Sequence, residues 1–164
     1  MRNKKLIMVV FLCLFYTAVQ SQGKENKIVI PLEEPTMLDP VSVGAMLLDT
    51  DDSLVKTVVL RAQILEGFHI YAYVSPKDPY INSKIGIELP EGVVNVGEMK
   101  KPSPEAYPGK KDLFVYVGEV DFKQNIALSR EDIKGSTVTC WIYYQSCDVN
   151  MCLPPIKKEI ILTL

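Results

Sequence analysis

Apolar residues in this chain recur at every second position, and that period limits what it can fold into. Leu54, Val58, Leu60, Ala62 and Ile64 share one parity, while Thr57, Arg61 and Gln63 take the other. A period of two sends alternate side chains to opposite faces of a strand, one toward a core and one toward water. Phe68–Tyr73, Lys84–Leu89, Leu113–Val120, Asp121–Leu128, Thr137–Gln145 and Ile156–Leu164 also read as strands. No segment sustains a helical period beyond a turn or two. Turn signals separate the runs: Glu66-Gly67, Pro76-Lys77-Asp78-Pro79, Pro90-Glu91-Gly92, Pro108-Gly109 and Lys134-Gly135. Seven to nine short strands at this spacing predict an all-β domain, an antiparallel sandwich of immunoglobulin-like type. Residues 22–40 read as an irregular lead-in with one edge strand at Lys27–Ile30, so the domain proper is expected over 41–164. The longest interruption is Gly97–Lys111, which holds Pro102, Pro104, Pro108, Gly109 and four lysines. Long loops of this kind are either solvated connections or functional lids.

The N-terminus places the domain outside the cytoplasm. Arg2, Lys4 and Lys5 precede a continuous apolar run of 14 residues, Leu6 to Val19, and polar residues follow from Gln20. That order describes a secretory signal peptide over residues 1–21, with cleavage after Ser21. Spanning a bilayer takes about 20 residues, so stable membrane insertion is not expected. Cys13 reads as one more apolar residue of the run rather than a lipid-attachment site, because bulky Leu12 precedes it. Loss of the leader leaves 15 basic against 20 acidic residues, a net charge of −5. An acidic chain does not suit nucleic acid, which demands a basic surface. It offers nothing to anionic lipid either.

Three cysteines remain after cleavage: Cys140, Cys147 and Cys152. They lie in an export compartment, where disulfides persist. Val138, Cys140, Ile142 and Tyr144 share one parity, so Cys140 points into the core as a small hydrophobe. It stands seven residues before Cys147, about 23 Å along an extended strand, too far for local pairing. Cys147 and Cys152 flank four residues, and Pro154-Pro155 follows before the last strand. The two stand at opposite feet of one tight connection, where Cα atoms about 5–6 Å apart would permit a disulfide. So short a ring constrains little of the unfolded chain and adds less stability than a long-range bridge. Three readings stay open on the residues: a static structural disulfide, a dithiol exchanging with partners, and capture of Cu(I) or zinc by Cys147, Cys152 and His69. Against the metal, His69 is the one histidine in the chain, and two thiolates alone do not complete a tetrahedral zinc site. No lysine, arginine or histidine lies between Ser146 and Pro155, and Asp148 disfavours a thiolate beside it. A strongly depressed cysteine pKa is therefore not expected, which fits a carrier whose electrons are moved by partners.

The run Tyr144-Gln145-Ser146-Cys147, four residues, then Cys152-Leu153-Pro154-Pro155 resembles the active-site hairpin of a known family. It is the N-terminal periplasmic domain family of the bacterial thiol:disulfide interchange protein DsbD. Glu66-Gly67-Phe68-His69-Ile70-Tyr71 is similar to that family's acidic-Gly-aromatic-aromatic-aliphatic-Tyr strand, and Leu89-Pro90-Glu91-Gly92-Val93 to its Leu-Pro-x-Gly-Val turn. The matches keep the family's order and span most of the mature chain. The resemblance implies an immunoglobulin-like sandwich whose redox pair is Cys147 and Cys152, with Cys152 the sulfur handed to partners. It implies electron transfer to and from thioredoxin-like periplasmic proteins, fed by a membrane electron-transfer protein, with no cofactor and no metal. It also implies an aromatic cap over the disulfide, here Tyr107 within Gly97–Lys111. His69 and Tyr71 would line the site from the neighbouring strand, and Tyr144 would pack beside Cys147.

Three departures accompany the resemblance. The ring is one residue shorter than in the best-known members. His69 stands where an aromatic ring is more familiar, and near the pair it could assist proton transfer, since an unperturbed imidazole titrates near 6.5. Transmembrane and thioredoxin-like domains do not follow Leu164 in this sequence, and it carries no Cys-x-x-Cys motif. The expected function is thus an exported thiol:disulfide oxidoreductase component. Its rival is a binding or scaffolding sandwich in which the same disulfide is merely structural.

Overall fold

The clean alternation of Glu119–Leu128 and Thr137–Tyr144 appears in space as strands whose even-numbered residues are buried and whose odd-numbered residues face outward. A computed structural model describes residues 28–164 apart from 31, 131, 132 and 134; the expected leader over 1–21 and residues 22–27 of the lead-in lie outside the described residues. Twelve strands follow in order: β1 Ile28–Ile30, β2 Val41–Asp49, β3 Val55–Ile64, β4 His69–Tyr73, β5 Lys84–Glu88, β6 Val93–Lys100, β7 Glu105–Ala106, β8 Phe114–Tyr116, β9 Glu119–Leu128, β10 Thr137–Tyr144, β11 Ser146–Cys147 and β12 Ile156–Thr163. Every pairing is antiparallel. The strands make a five-stranded sheet β1-β2-β3-β9-β6, a three-stranded sheet β12-β10-β5 and a four-stranded sheet β11-β4-β8-β7. The domain is an immunoglobulin-like all-β sandwich, as the alternation predicts.

One core holds the three sheets together. It gathers Val43, Leu60, Phe122 and Ile126 from the first sheet, Ile142, Tyr144 and Leu162 from the second, and Ile70 and Tyr116 from the third. Each such side chain contributes about 1.5–3 kcal/mol by leaving water. The chain passes from β10 to β11 through Gln145, which carries it from the three-stranded sheet into the four-stranded one. That crossing brings the cysteine hairpin beside β4.

The structure adds β2, β6, β7 and β11, which the alternation does not reveal. β2 is hydrogen-bonded on both sides and buried without a break from Val41 to Ala45, so it shows no alternation. β6 is an edge strand exposed along most of its length, and its register shifts between Val96 and Lys100 around Gly97, whose φ is 68°. The segment expected as one strand over Leu113–Val120 is broken at Val117-Gly118, and Glu119 onward joins β9. Gly118 has φ 63°, a left-handed conformation that costs a residue with a Cβ, and its carbonyl accepts from the Ile64 N–H at 2.8 Å. The Gly97–Lys111 stretch is not a bare loop either. It starts within β6 and contains β7, which pairs with β8.

Candidate functional site

β4 is the platform of the site. Along His69-Ile70-Tyr71, Ile70 faces the main core, while Tyr71 belongs to a second buried cluster with Val74, Leu113, Val115 and Cys147. Cys147 on β11 is the direct cross-strand partner of His69. Directly opposed residues project from the same face of a sheet, so the imidazole and Cys147 share one side.

Cys147 and Cys152 form a disulfide with Cα atoms 4.0 Å apart, closer than the 5–6 Å expected from the sequence. The ladder explains the difference. Leu153 N–H donates to the Ser146 carbonyl and Asp148 N–H to the Met151 carbonyl, both at 2.9 Å. The two cysteines therefore oppose each other as a non-hydrogen-bonded pair, the position at which strands approach most closely. The tight connection is held by Asp148, whose Oδ1 accepts from the N–H groups of Asn150 and Met151 at 2.7 Å each. Those backbone donors, at Met151 and then Asn150, hold the Asp148 carboxyl below its ordinary range. Gln145 ties the base of the hairpin down: its Nε2 donates to the Leu153 carbonyl at 3.4 Å, and its Oε1 accepts from Ile81 N–H at 3.3 Å.

The two cysteines are unequal. Cys147 is 1% exposed, while Cys152 is exposed at the surface, between exposed Met151 and half-buried Leu153. Tyr71 brings its hydroxyl 3.9 Å from Cys152 Sγ. Burial, and then the nearness of Tyr80, Tyr107 and Asp78, pushes the Tyr71 phenol far above its ordinary value, so it stays protonated. Tyr80 stacks on Tyr71 with ring centroids 4.6 Å apart and planes 18° apart. Lys110 sits over the Tyr80 ring at 4.7 Å and donates to its hydroxyl at 3.3 Å. His69 meets Tyr71 edge-on at 5.1 Å and Tyr107 at 5.1 Å. Burial lowers the His69 pKa below 6.5, opposed by the nearby charge of Asp148.

The structure thus brings together Cys147, Cys152, His69, Tyr71 and Tyr107. Tyr144 does not join them. It lies in the main core, where its hydroxyl donates to the Val41 carbonyl at 3.4 Å, because the chain changes sheets between it and Cys147. Cys140 is fully buried in the same core, and burial pushes its thiol up to about 12. Sequence reasoning missed Tyr80, Lys110 and the role of Gln145. Tyr80 and Lys110 stand in turns without periodicity, whereas Gln145 lies inside the cysteine motif and was open to notice. Among the described residues, no group of three His, Cys, Asp or Glu side chains is arranged to hold a metal ion. No helix among them is long and apolar enough to cross a membrane.

A family model described as "Thiol:disulfide interchange protein DsbD, N-terminal" matches residues 37–164. No curated protein matches the chain. Among solved structures, the N-terminal domain of Neisseria meningitidis DsbD in the reduced form is 18% identical, with 73% of this chain and 82% of that one covered and a TM-score of 0.41. The yeast GGA1 GAE domain-P21 structure is 8% identical, covering 81% and 96%, with a TM-score of 0.47. The GAE domain of GGA2p from Saccharomyces cerevisiae is 9% identical, covering 84% and 96%, with a TM-score of 0.46.

Proposed function

The chain belongs to the family of the DsbD N-terminal domain, and from that premise we propose that it is an exported module exchanging its Cys147–Cys152 disulfide with partner thiols. The observation that carries this reading is the inequality of the two cysteines: Cys147 is 1% exposed, whereas Cys152 lies exposed at the surface, on the side an incoming group would reach. A structural cystine gains nothing from presenting one sulfur, whereas exchange requires an approachable one.

The chemistry runs through Cys152. A thiolate of a reduced partner attacks Cys152 Sγ, the Cys147–Cys152 bond breaks, and its electron pair stays on Cys147, which takes up a proton. The partner's second thiolate then attacks the partner sulfur in the mixed disulfide and releases Cys152 as thiolate. The partner dithiol ends as a disulfide and the domain as a dithiol. Run backward, the same steps reduce an oxidised partner. Exposed Val149 and Met151 beside Cys152 offer apolar surface to such a partner. The family resemblance supports thioredoxin-like periplasmic proteins and a membrane electron-transfer protein as partners, with the periplasm as location. Tyr71 and Tyr107 line the approach, and neither a cofactor nor a metal is part of the cycle.

Two measurements test the reading together. The reduction potential of the pair is expected near that of thioredoxin, about −270 mV, or above it. Cys147→Ser is expected to accumulate a mixed disulfide through Cys152 with a thioredoxin-like partner, and Cys152→Ser to accumulate none. A potential below about −300 mV with no trapped adduct would leave the structural disulfide as the function of the pair.

A further inference from the structure

His69 is 7% exposed, and its Nε2 is fully buried with no hydrogen-bond partner. Leaving a buried polar atom unsatisfied costs about 1–3 kcal/mol, and an aromatic hydrocarbon in its place would avoid that cost. The imidazole lies opposite Cys147, on the same face of the β4–β11 pair. Cys147 in turn has an unmet need. As a thiol it is buried, which disfavours its thiolate; Asp148 follows it directly, and no cationic side chain lies between Ser146 and Pro155. A group that must attack as thiolate, and cannot ionise unaided, thus belongs to the residue directly across the ladder from a histidine whose Nε2 has no partner.

We propose that His69 is the proton acceptor that activates Cys147 when it closes the disulfide, a role that rests on the exchange reading above. In the closing step, Cys152 carries a partner sulfur as a mixed disulfide. His69 Nε2 takes the Cys147 thiol proton as Cys147 Sγ attacks Cys152 Sγ. The Cys147–Cys152 bond forms, the bond from Cys152 to the partner breaks, and the partner leaves as thiolate. That thiolate recovers the proton from the imidazolium or from solvent. The two cysteines are oxidised and the partner is reduced, with no further reagent.

The surroundings keep the imidazole in its accepting form. It faces Cys147 and Asp148 from the hairpin, Tyr71 on its own strand and Tyr107 from the segment after β7. Glu66 and Glu105 line the same groove of about 660 Å³ beside it. The tyrosines are neutral, burial disfavours the imidazolium, and Asp148 moderates that effect without overcoming it.

The test uses reduced protein and glutathione disulfide, following adduct formation at Cys152 and then loss of glutathione as the ring closes. In the native protein the closing rate should rise through an inflection below 6.5 and stay flat above it. In His69→Gln the inflection should move into the thiol range, to about 8.5 or above, and closing at pH 6.5 should slow by about a hundredfold or more. Adduct formation should be unchanged, which separates loss of a proton acceptor from general damage. A native closing rate with a single inflection in the thiol range overturns the proposal even if the variant does not fold. So does a folded His69→Gln variant that closes within about threefold of native. If glutathione disulfide forms no adduct and closes no ring in native protein, the exchange reading itself fails and takes this role with it.

Discussion

Among single residues, Cys140 shows how burial decides chemistry. It carries the same thiol as Cys147 and Cys152, but it is fully buried and its pKa is pushed up to about 12. In the reduced, folded protein, iodoacetamide is expected to add to Cys152 first and to leave Cys140 unmodified until the domain is denatured, as peptide masses would show. Cys140→Ala should cost about 1 kcal/mol and leave the reduction potential of the other pair unchanged. A shift in that potential would mean the core thiol communicates with the site. The fate of Cys140 was legible because it lies in a strand with unbroken alternation. The inequality of Cys147 and Cys152 could be drawn only from the family resemblance, since both lie in a hairpin where period two no longer applies. Tyr107, which lies beside His69, could be named from family resemblance, whereas Tyr80, which stacks on Tyr71, carries no periodic signal in the segment that holds it.

Among elements, the informative pair is β5 against β10. Gly86 is the cross-strand partner of Trp141, and the indole lies directly over the glycine, where a Cβ would collide with its Cζ2 and Cε2. Lys157 on β12 places its ammonium 4.7 Å from the same ring. The aromatic ring thus covers a strand position that has no side chain of its own. Gly86→Ala is expected to force the indole off the strand and to destabilise the domain by about 1–3 kcal/mol, read from the denaturant midpoint and from a change in Trp141 fluorescence. An unchanged midpoint and spectrum would show that the ring relocates freely. Strands were legible in the sequence to the extent that one face met water. β3 and β10 were read with their faces correctly assigned, whereas β2, buried from Val41 to Ala45, and β6, exposed on both faces along most of its length, were missed for opposite reasons. The same logic explains the misplaced break near Gly118, where apolar character continues through a turn that only the backbone conformation marks.

For the whole molecule, the core and the disulfide do separate work. The core joins all three sheets, and the ring closes only a sequence separation of five. Loop-closure entropy for so short a ring amounts to about 2 kcal/mol, so reduction should lower the melting temperature by roughly 5–8 °C without unfolding the domain. Calorimetry of the reduced and oxidised forms checks this, and unfolding on reduction would make the ring a staple after all. The proposed exchange would then open and close a ring on a fold that survives both states. Burial of Cys147 has one more consequence. On the proposed exchange through Cys152, the domain has a single berth, and donor and acceptor must use it in turn. Traffic through it is therefore strictly alternating, and an excess of either partner becomes an obstacle to the other.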